Sequence, residues 1–229
     1  MSNKIVQIGK ATLINGDCIE YMSTLKDKKF DLAVVDPPYG IGASNYSRGG
    51  TQYGNSKAKC KEYSIKDWDS LCPDEHYFES LINCSKNRII FGANHFISNI
   101  PDPSSSCWIV WDKLNGEGSG YADCELAYTS FKTAVRKFEF RWAGMLQGDM
   151  KNKEIRIHPT QKPIKLYEWI FTNYAKPGQR ILDTHGGSMS SVIAALNLGF
   201  EIVCIEKDEE YFNAAADRVI KSQQQQRMF

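Results

Sequence analysis

The stretch Phe30–Gly40, FDLAVVDPPYG, places an acid, two prolines and a tyrosine at the end of an apolar run. Proline fixes φ and has no N–H, so neither Pro37 nor Pro38 can continue a sheet ladder. The pair instead makes a stiff turn with bare carbonyls, flanked by the Asp36 carboxylate and the Tyr39 ring. An amino group on an aromatic ring is planar and a poor nucleophile, because its lone pair is delocalised. Two fixed acceptors on its N–H bonds orient it and return electron density to nitrogen. Asp36 and the Pro37 carbonyl are such a pair, and Tyr39 can stack on the ring. A rigid turn with no ligand would use the same prolines, but a tyrosine following at the carboxyl end of a strand favours the binding reading.

A second constellation spans residues 180–208, RILDTHGGSMSSVIAALNLGFEIVCIEKD. It reads strand, glycine turn, helix, strand, and then an acid. Glycines let a chain approach a ligand closely, and an acid about 20 residues on accepts hydrogen bonds from a ribose. Glu206 lies 23 positions after Asp183, which suits an adenosine-bearing cofactor. The pattern GGS does not match a pyrophosphate loop, and a plain helix-capping turn remains the alternative. Asn15-Gly16-Asp17 is a turn dipeptide followed by an acid, either a simple tight turn or the rim of the same pocket. His158 and His185 have no second ligand at metal spacing, so no metal is expected, and both read as structural or cofactor-contacting. His76 and His95 read as surface or packing residues.

These residues need a frame. Short apolar runs alternate with helical patterns, the mark of an α/β fold with a largely parallel sheet. Strands are expected at 31–36, 88–92, 107–111, 125–130, 180–183 and 201–206, and helices at 74–86, 163–175, 190–198 and 208–221. Residues 40–66 hold five glycines and read as a long loop, and the tail SQQQQRMF reads as fraying. The 229 residues are expected to form one domain, with 28 Lys and Arg against 27 Asp and Glu. At a net charge of +1 any nucleic-acid surface must be local. Two basic stretches qualify, 46–66 and 131–158, although a solvated charged face would look the same. Seven cysteines without a C-x-x-C pair read as reduced thiols in a cytoplasmic protein, and neither a signal peptide nor a membrane-length apolar run is apparent.

DPPYG at 36–40, FGANHF at 91–96, HPTQKP at 158–163 and the ILDTHGGS…EIVCIEKDEEYF block together resemble the S-adenosylmethionine-dependent amino-methyltransferases of DNA. The order of the blocks resembles their β class, and the likeness spans roughly residues 10–40 and 66–220. The resemblance implies a Rossmann-like, seven-stranded sheet, largely parallel with one antiparallel strand and helices on both faces. It implies that Asp36, Pro37, Pro38 and Tyr39 hold the target base, with Asp36 also at the cofactor. It assigns the cofactor to Asp17, Asp183, His185, Gly187, Ser188, Glu206 and Lys207, and to His158, Thr160, Gln161 and Lys162 before the next helix. Phe91 or Asn94 would lie beside it, and 122–130 would shape the target pocket.

Asp at the head of DPPY resembles N6-adenine enzymes more than N4-cytosine ones, which often begin with serine. The implied partner is duplex DNA with a flipped adenine, read by the loops 42–66 and 131–157. Those loops are short enough to leave room for a second subunit in a homodimer. Three departures stand in the glycine block: Thr184 replaces proline, His185 an aromatic residue, and Met189 the last glycine. Met189 adds bulk where the backbone normally meets the ligand, which predicts a weakened or repositioned cofactor unless Gly186 loosens the turn. An N4-cytosine enzyme, an RNA or protein amide methyltransferase, and an inactive DNA-binding relative stay as alternatives.

Overall fold

Apolar residues alternate along the central strands, so each strand sends side chains to both faces of a sheet. In β3 (Phe30–Val35), Leu32 and Val34 pack on one side and Ala33 and Val35 on the other. The computed structural model describes residues 4–25, 27, 29–43, 66–115, 122–143 and 146–226, and within them nine strands share one sheet. Across the sheet they run β1 (Lys4–Ile8), β2 (Ala11–Asn15), β11 (Glu201–Glu206), β10 (Arg180–Asp183), β3, β4 (Ser85–Phe91), β6 (Cys124–Thr129), β5 (Trp108–Asp112) and β7 (Arg136–Glu139). Pairing is parallel from β2 through β4 and again between β5 and β7. β6 opposes both its neighbours and is the antiparallel strand expected inside the sheet. The hairpin of β1 with β2 adds an antiparallel strand at the edge. Edge strands β1 and β7 bring the count to nine where the resemblance implied seven. β8 (Trp142–Ala143) and β9 (Leu146–Gln147) pair separately.

Helices cover both faces. α1 (Cys18–Ser23) and α2 (Glu75–Cys84) contribute Met22, Tyr77, Phe78 and Leu81 to one core. α3 (Ile164–Tyr174), α4 (Ser190–Asn197) and α5 (Glu209–Gln226) contribute Ile170, Phe171, Val192, Phe212 and Val219 to the other. Each such fully buried large side chain stabilises the fold by about 1.5–3 kcal/mol. Asp17 and Asp74 cap α1 and α2, accepting backbone N–H groups of the first turn. The order of the strands also fixes where a ligand can sit. From β3 the chain moves outward to β4, and from β10 it moves the opposite way to β11, so the sheet has a switch point between β3 and β10. A crevice opens beyond the carboxyl ends of strands at such a point.

Several boundaries differ from expectation. The helix expected over 74–86 ends at Cys84, and β4 starts at Ser85 with no turn between. α5 continues to Gln226, through glutamines read as fraying, because glutamine is a good helix former. The basic stretch 131–157, read as a loop insertion, holds β7 and the β8–β9 pair, so part of it is sheet framework. Of the other insertion, 42–66, residues 44–65 lie outside the described residues. No helix among the described residues is long and apolar enough to cross a membrane.

Candidate active site

At the switch point lies a cavity of about 800 Å³. The turn after β3 forms one end, with Asp36 and Pro38, and the glycine turn after β10 forms the other, with His185, Gly187 and Ser188. Twelve of the fifteen residues singled out in the sequence line it: Asp17, Asp36, Pro38, His158, Thr160, Gln161, Lys162, His185, Gly187, Ser188, Glu206 and Lys207. Pro37, Tyr39 and Asp183 stand behind its wall. Six carboxylates line the space, those of Asp17, Asp36, Asp67, Asp74, Glu206 and Asp208, against two lysines. Such a lining favours a cation over a phosphate.

Around Asp36 the charges are closely paired. Its Oδ1 accepts the Tyr39 hydroxyl at 2.8 Å, and its Oδ2 lies 2.6 Å from Lys162 Nζ. Lys162 also donates to Tyr39 Oη at 3.1 Å and lies 3.1 Å from Glu125 Oε2. Lys113 takes the other oxygen of Glu125 at 2.5 Å. Burial pushes the Asp36 carboxyl above its ordinary range, against the pull of Lys162. For Glu125 burial works the same way, but Lys162 and Lys113 outweigh it and hold the carboxyl at about 2. Burial opposes the Lys162 ammonium, and Asp36 and Glu125 nonetheless keep its pKa raised. Thus Lys162, grouped by resemblance with the cofactor, places its charge at the Asp36 end.

The turn itself is held from outside. The Asp69 carboxylate, 1% exposed, accepts the backbone N–H groups of Tyr39 at 2.6 Å, Gly40 at 3.0 Å and Ala43 at 2.7 Å. The Tyr39 ring stacks on His95 at 5.1 Å and rests against Gly92. A Cβ on Gly92 would come within 2.1 Å of that ring, and its φ of +69° is one that glycine adopts freely. The FGANHF block therefore serves the tyrosine. Phe91 is buried under Lys162 and Asn94 is exposed, so neither lines the cavity as the resemblance implied.

At the other end, Glu206 Oε2 accepts the Gly187 N–H at 2.7 Å and its Oε1 the Asp208 N–H at 2.8 Å. Burial raises its pKa. Asp183 accepts the His185 N–H at 3.1 Å and the Ser191 hydroxyl at 2.5 Å, and burial raises it to about 7. It shapes the glycine turn from beneath. Asp17 pairs with Lys207 at 3.0 Å at the rim. Burial lowers His185 to about 4 and, with the Lys162 charge adding, His158 to about 3, so both rings are neutral at neutral pH. His158 packs between Trp68 and Tyr211. Gln161 braces the 158–163 stretch, accepting the Ile157 N–H and the Trp142 indole N–H. The described His, Cys, Asp and Glu residues form no group that could hold a metal ion.

Met189 is the departure from the usual block that the structure explains. It sits at φ +54° as the cap of α4, and its side chain is 0% exposed, packed in the core beneath α3, α4 and α5. It does not line the cavity. Gly186 is the tight point instead, since a Cβ there would meet Cys204 Sγ at 2.7 Å. Sequence reasoning missed Asp69, Trp68 and the pairing of Glu125 with Lys162, and it did not place Tyr77 and Tyr167 on the cavity wall, which they line. Of these, the acid–tryptophan–acid stretch 67–69 carried the only local signal.

The N6/N4 family described as DNA methylase matches residues 124–217. The chain is 25% identical to the type II methyltransferase M2.DpnII of Streptococcus pneumoniae, over 92% of this chain and 90% of that protein. M2.LlaDCHI of Lactococcus lactis subsp. cremoris matches to the same identity and extent. Among solved structures, the M1.HpyAVI–SAM complex superposes with a TM-score of 0.51 at 24% identity, covering 91% of this chain and 99% of that one. The cytosine-N4-specific PvuII DNA methyltransferase superposes with a TM-score of 0.57 at 13% identity, covering 93% and 90%. The fold is that of these methyltransferases, and the likeness first carried by short motifs extends over most of the chain.

Proposed function

We propose that this chain, a relative of the N6/N4 DNA methylases in sequence and fold, transfers a methyl group from S-adenosylmethionine to the N6 amino group of adenine in duplex DNA. The observation that carries the reading is a single cavity that joins the Asp36-Pro37-Pro38 turn to the glycine turn and Glu206. The lining fits the cofactor. Its six carboxylates suit a sulfonium cation, and Glu206 now holds two backbone amides where ribose hydroxyls would bind. A Cβ on Gly187 would meet nothing closer than His158 at 3.7 Å, so the backbone there is open to a ligand. Asp17 and Lys207 would face the adenine end, and His158, Thr160 and Ser188 the rest.

Bound S-adenosylmethionine supplies an electrophilic methyl on sulfur. The chain's own residues align the acceptor. Asp36 on the cavity wall takes one amino N–H bond, the Pro37 carbonyl just behind the wall is the acceptor proposed for the other, and the nitrogen lone pair is freed for attack. The carboxylate then stabilises the positive charge that develops on nitrogen and accepts the proton that the methylated nitrogen sheds, while the sulfur leaves as a neutral thioether. A base in a duplex reaches this depth only by flipping out of the stack. The free cysteines and the DNA substrate favour the cytoplasm.

The superposition on the PvuII enzyme shows that an N4-cytosine methyltransferase has the same fold, so the fold does not choose the base, and Asp at the head of DPPY favours adenine. Duplex DNA incubated with methyl-labelled cofactor and digested to nucleosides separates them. N6-methyladenine is expected. N4-methylcytosine would replace the adenine reading, and undiminished transfer by folded Asp36→Ala protein would remove the mechanism.

A further inference from the structure

Lys162 is 5% exposed and 123 positions from Tyr39 in sequence, yet its ammonium touches three groups around the reacting end of the cavity. A buried ammonium is costly unless it is paired. Here it has two carboxylates, Asp36 and Glu125, and the second is already matched by Lys113. The charge of Lys162 is therefore available to Asp36. It lies 2.6 Å from Oδ2 of that carboxylate, while Oδ1 accepts the hydroxyl of Tyr39, a neutral partner that can be exchanged.

We infer that Lys162 is the internal counter-ion of the Asp36 carboxylate: it fixes Oδ2, keeps the group ionised, and leaves Oδ1 as the acceptor for the substrate amino group. The inference rests on the reading of Asp36 as the group that grips the amino nitrogen. An ionised Asp36 matters because nitrogen gains positive charge as its bond to the methyl carbon forms and the carbon–sulfur bond breaks. A protonated carboxyl would offer that charge nothing, and its oxygens would accept the amino N–H less strongly. Lys162 acts through Asp36 and is a positioning residue.

Of the other groups facing Asp36, Glu125 on β6 adds negative charge, and Asp183 at the end of β10 does so once it ionises. The Tyr39 hydroxyl donates to Oδ1 and supports the ionised form, but it carries no charge, and Tyr39 and Tyr167 are phenols held far above their usual range, first by burial. Removal of Lys162 thus leaves Asp36 buried among like charges, and its pKa must rise.

Infrared difference spectra of the full chain read this directly, with Asp36→Asn assigning the band. Wild-type protein is expected to show an ionised Asp36 at neutral pH, and Lys162→Met a protonated one. In the same variant the acid limb of methyl transfer to DNA moves up by at least about one pH unit, a tenfold loss in rate at a fixed pH below it. Activity returns as pH rises, and the calorimetric affinity for S-adenosylmethionine stays within about threefold of wild type by the same scale. Glu125→Gln serves if Lys162→Met fails to fold: with one competing anion gone, the Asp36 titration moves down.

An Asp36 that stays ionised in Lys162→Met, a rate loss equal at all pH values, or an unmoved titration in Glu125→Gln overturns the inference. If wild-type protein transfers no methyl group while the infrared bands behave as described, the methyltransferase reading fails and the ion pair stands.

Discussion

Met189 stands at φ +54°, a conformation that costs a side-chain-bearing residue about 1–2 kcal/mol. Glycine would relieve that cost, and the sequence alone suggests that methionine harms the cofactor site. Its side chain, however, fills the core beneath α4 and leaves the cavity wall free. Removing a buried side chain of this size costs about 2–5 kcal/mol. Met189→Gly should therefore be destabilised by on the order of 2 kcal/mol in urea unfolding, with cofactor affinity unchanged. A variant as stable as wild type would mean that the packing contributes nothing. Asp183 carries the residue-scale pH dependence. Its carboxyl is raised to about 7 in the fold from an ordinary 3.8, so folding favours the protonated form. The stability this provides is complete below 3.8 and is lost as pH rises through about 7. Asp183→Asn cannot ionise. Without cofactor, its melting temperature relative to wild type should rise by several degrees between about pH 5 and pH 8, and a pH-independent difference would show that Asp183 titrates normally.

The stretch Lys66–Asp74 works as a strap between the two ends of the site. Lys66 pairs with Asp208 at 2.6 Å and Glu210 at 2.8 Å at the start of α5, Trp68 packs on His158, and Asp69 holds the turn that carries Tyr39. An unsatisfied amide costs about 1–3 kcal/mol when buried, and Asp69→Ala releases three partly buried ones. Methyl transfer by Asp69→Ala should fall at least about tenfold, the scale of one such amide, while the affinity for S-adenosylmethionine holds. Equal loss of both would make the strap a general support and not a clamp on the turn. None of this could be read from the chain, because Asp69 lies 30 positions from Tyr39 and only the fold brings them together. What could be read was periodic: β10 and β11 match their expected ranges, and β3, β5 and β6 are shifted by one residue. The boundary at Cys84–Ser85 was hidden because the apolar pattern runs on from helix to strand. β7 was hidden because RKFE on an edge strand has no apolar alternation to betray it. At the site, residue types were legible where chemistry is local, as in Asp36 or Glu206. The pairings of Lys162 and Glu125 were not, since they join β6 to the start of α3.

Over the whole molecule the charge is nearly balanced, +1 for 229 residues, so affinity for DNA must come from where cations are left over. Most of the basic residues in 131–158 with internal roles can be named. Lys137 pairs with Asp112 and Glu139, Arg141 donates to the Leu114 carbonyl, and Arg156 stacks on Trp142 at 4.5 Å. Lys132, Arg136, Lys151 and Lys153 are exposed and form no ion pair among the described residues. Lys132 precedes β7 and Arg136 opens it, at the sheet edge beside β5, while Lys151 and Lys153 follow the separate β8–β9 pair. Each phosphate a cation neutralises adds about 0.9 to the slope of log affinity against log salt. If these four face DNA, replacing all of them with glutamine should lower the slope by about 3–4 and weaken binding to any duplex at moderate salt. Calorimetric binding of S-adenosylmethionine should not change, because none of the four lines the cavity. An unchanged slope would instead move the DNA surface to the other basic stretch, 46–66, where Arg48, Lys57, Lys59 and Lys61 become the residues to replace.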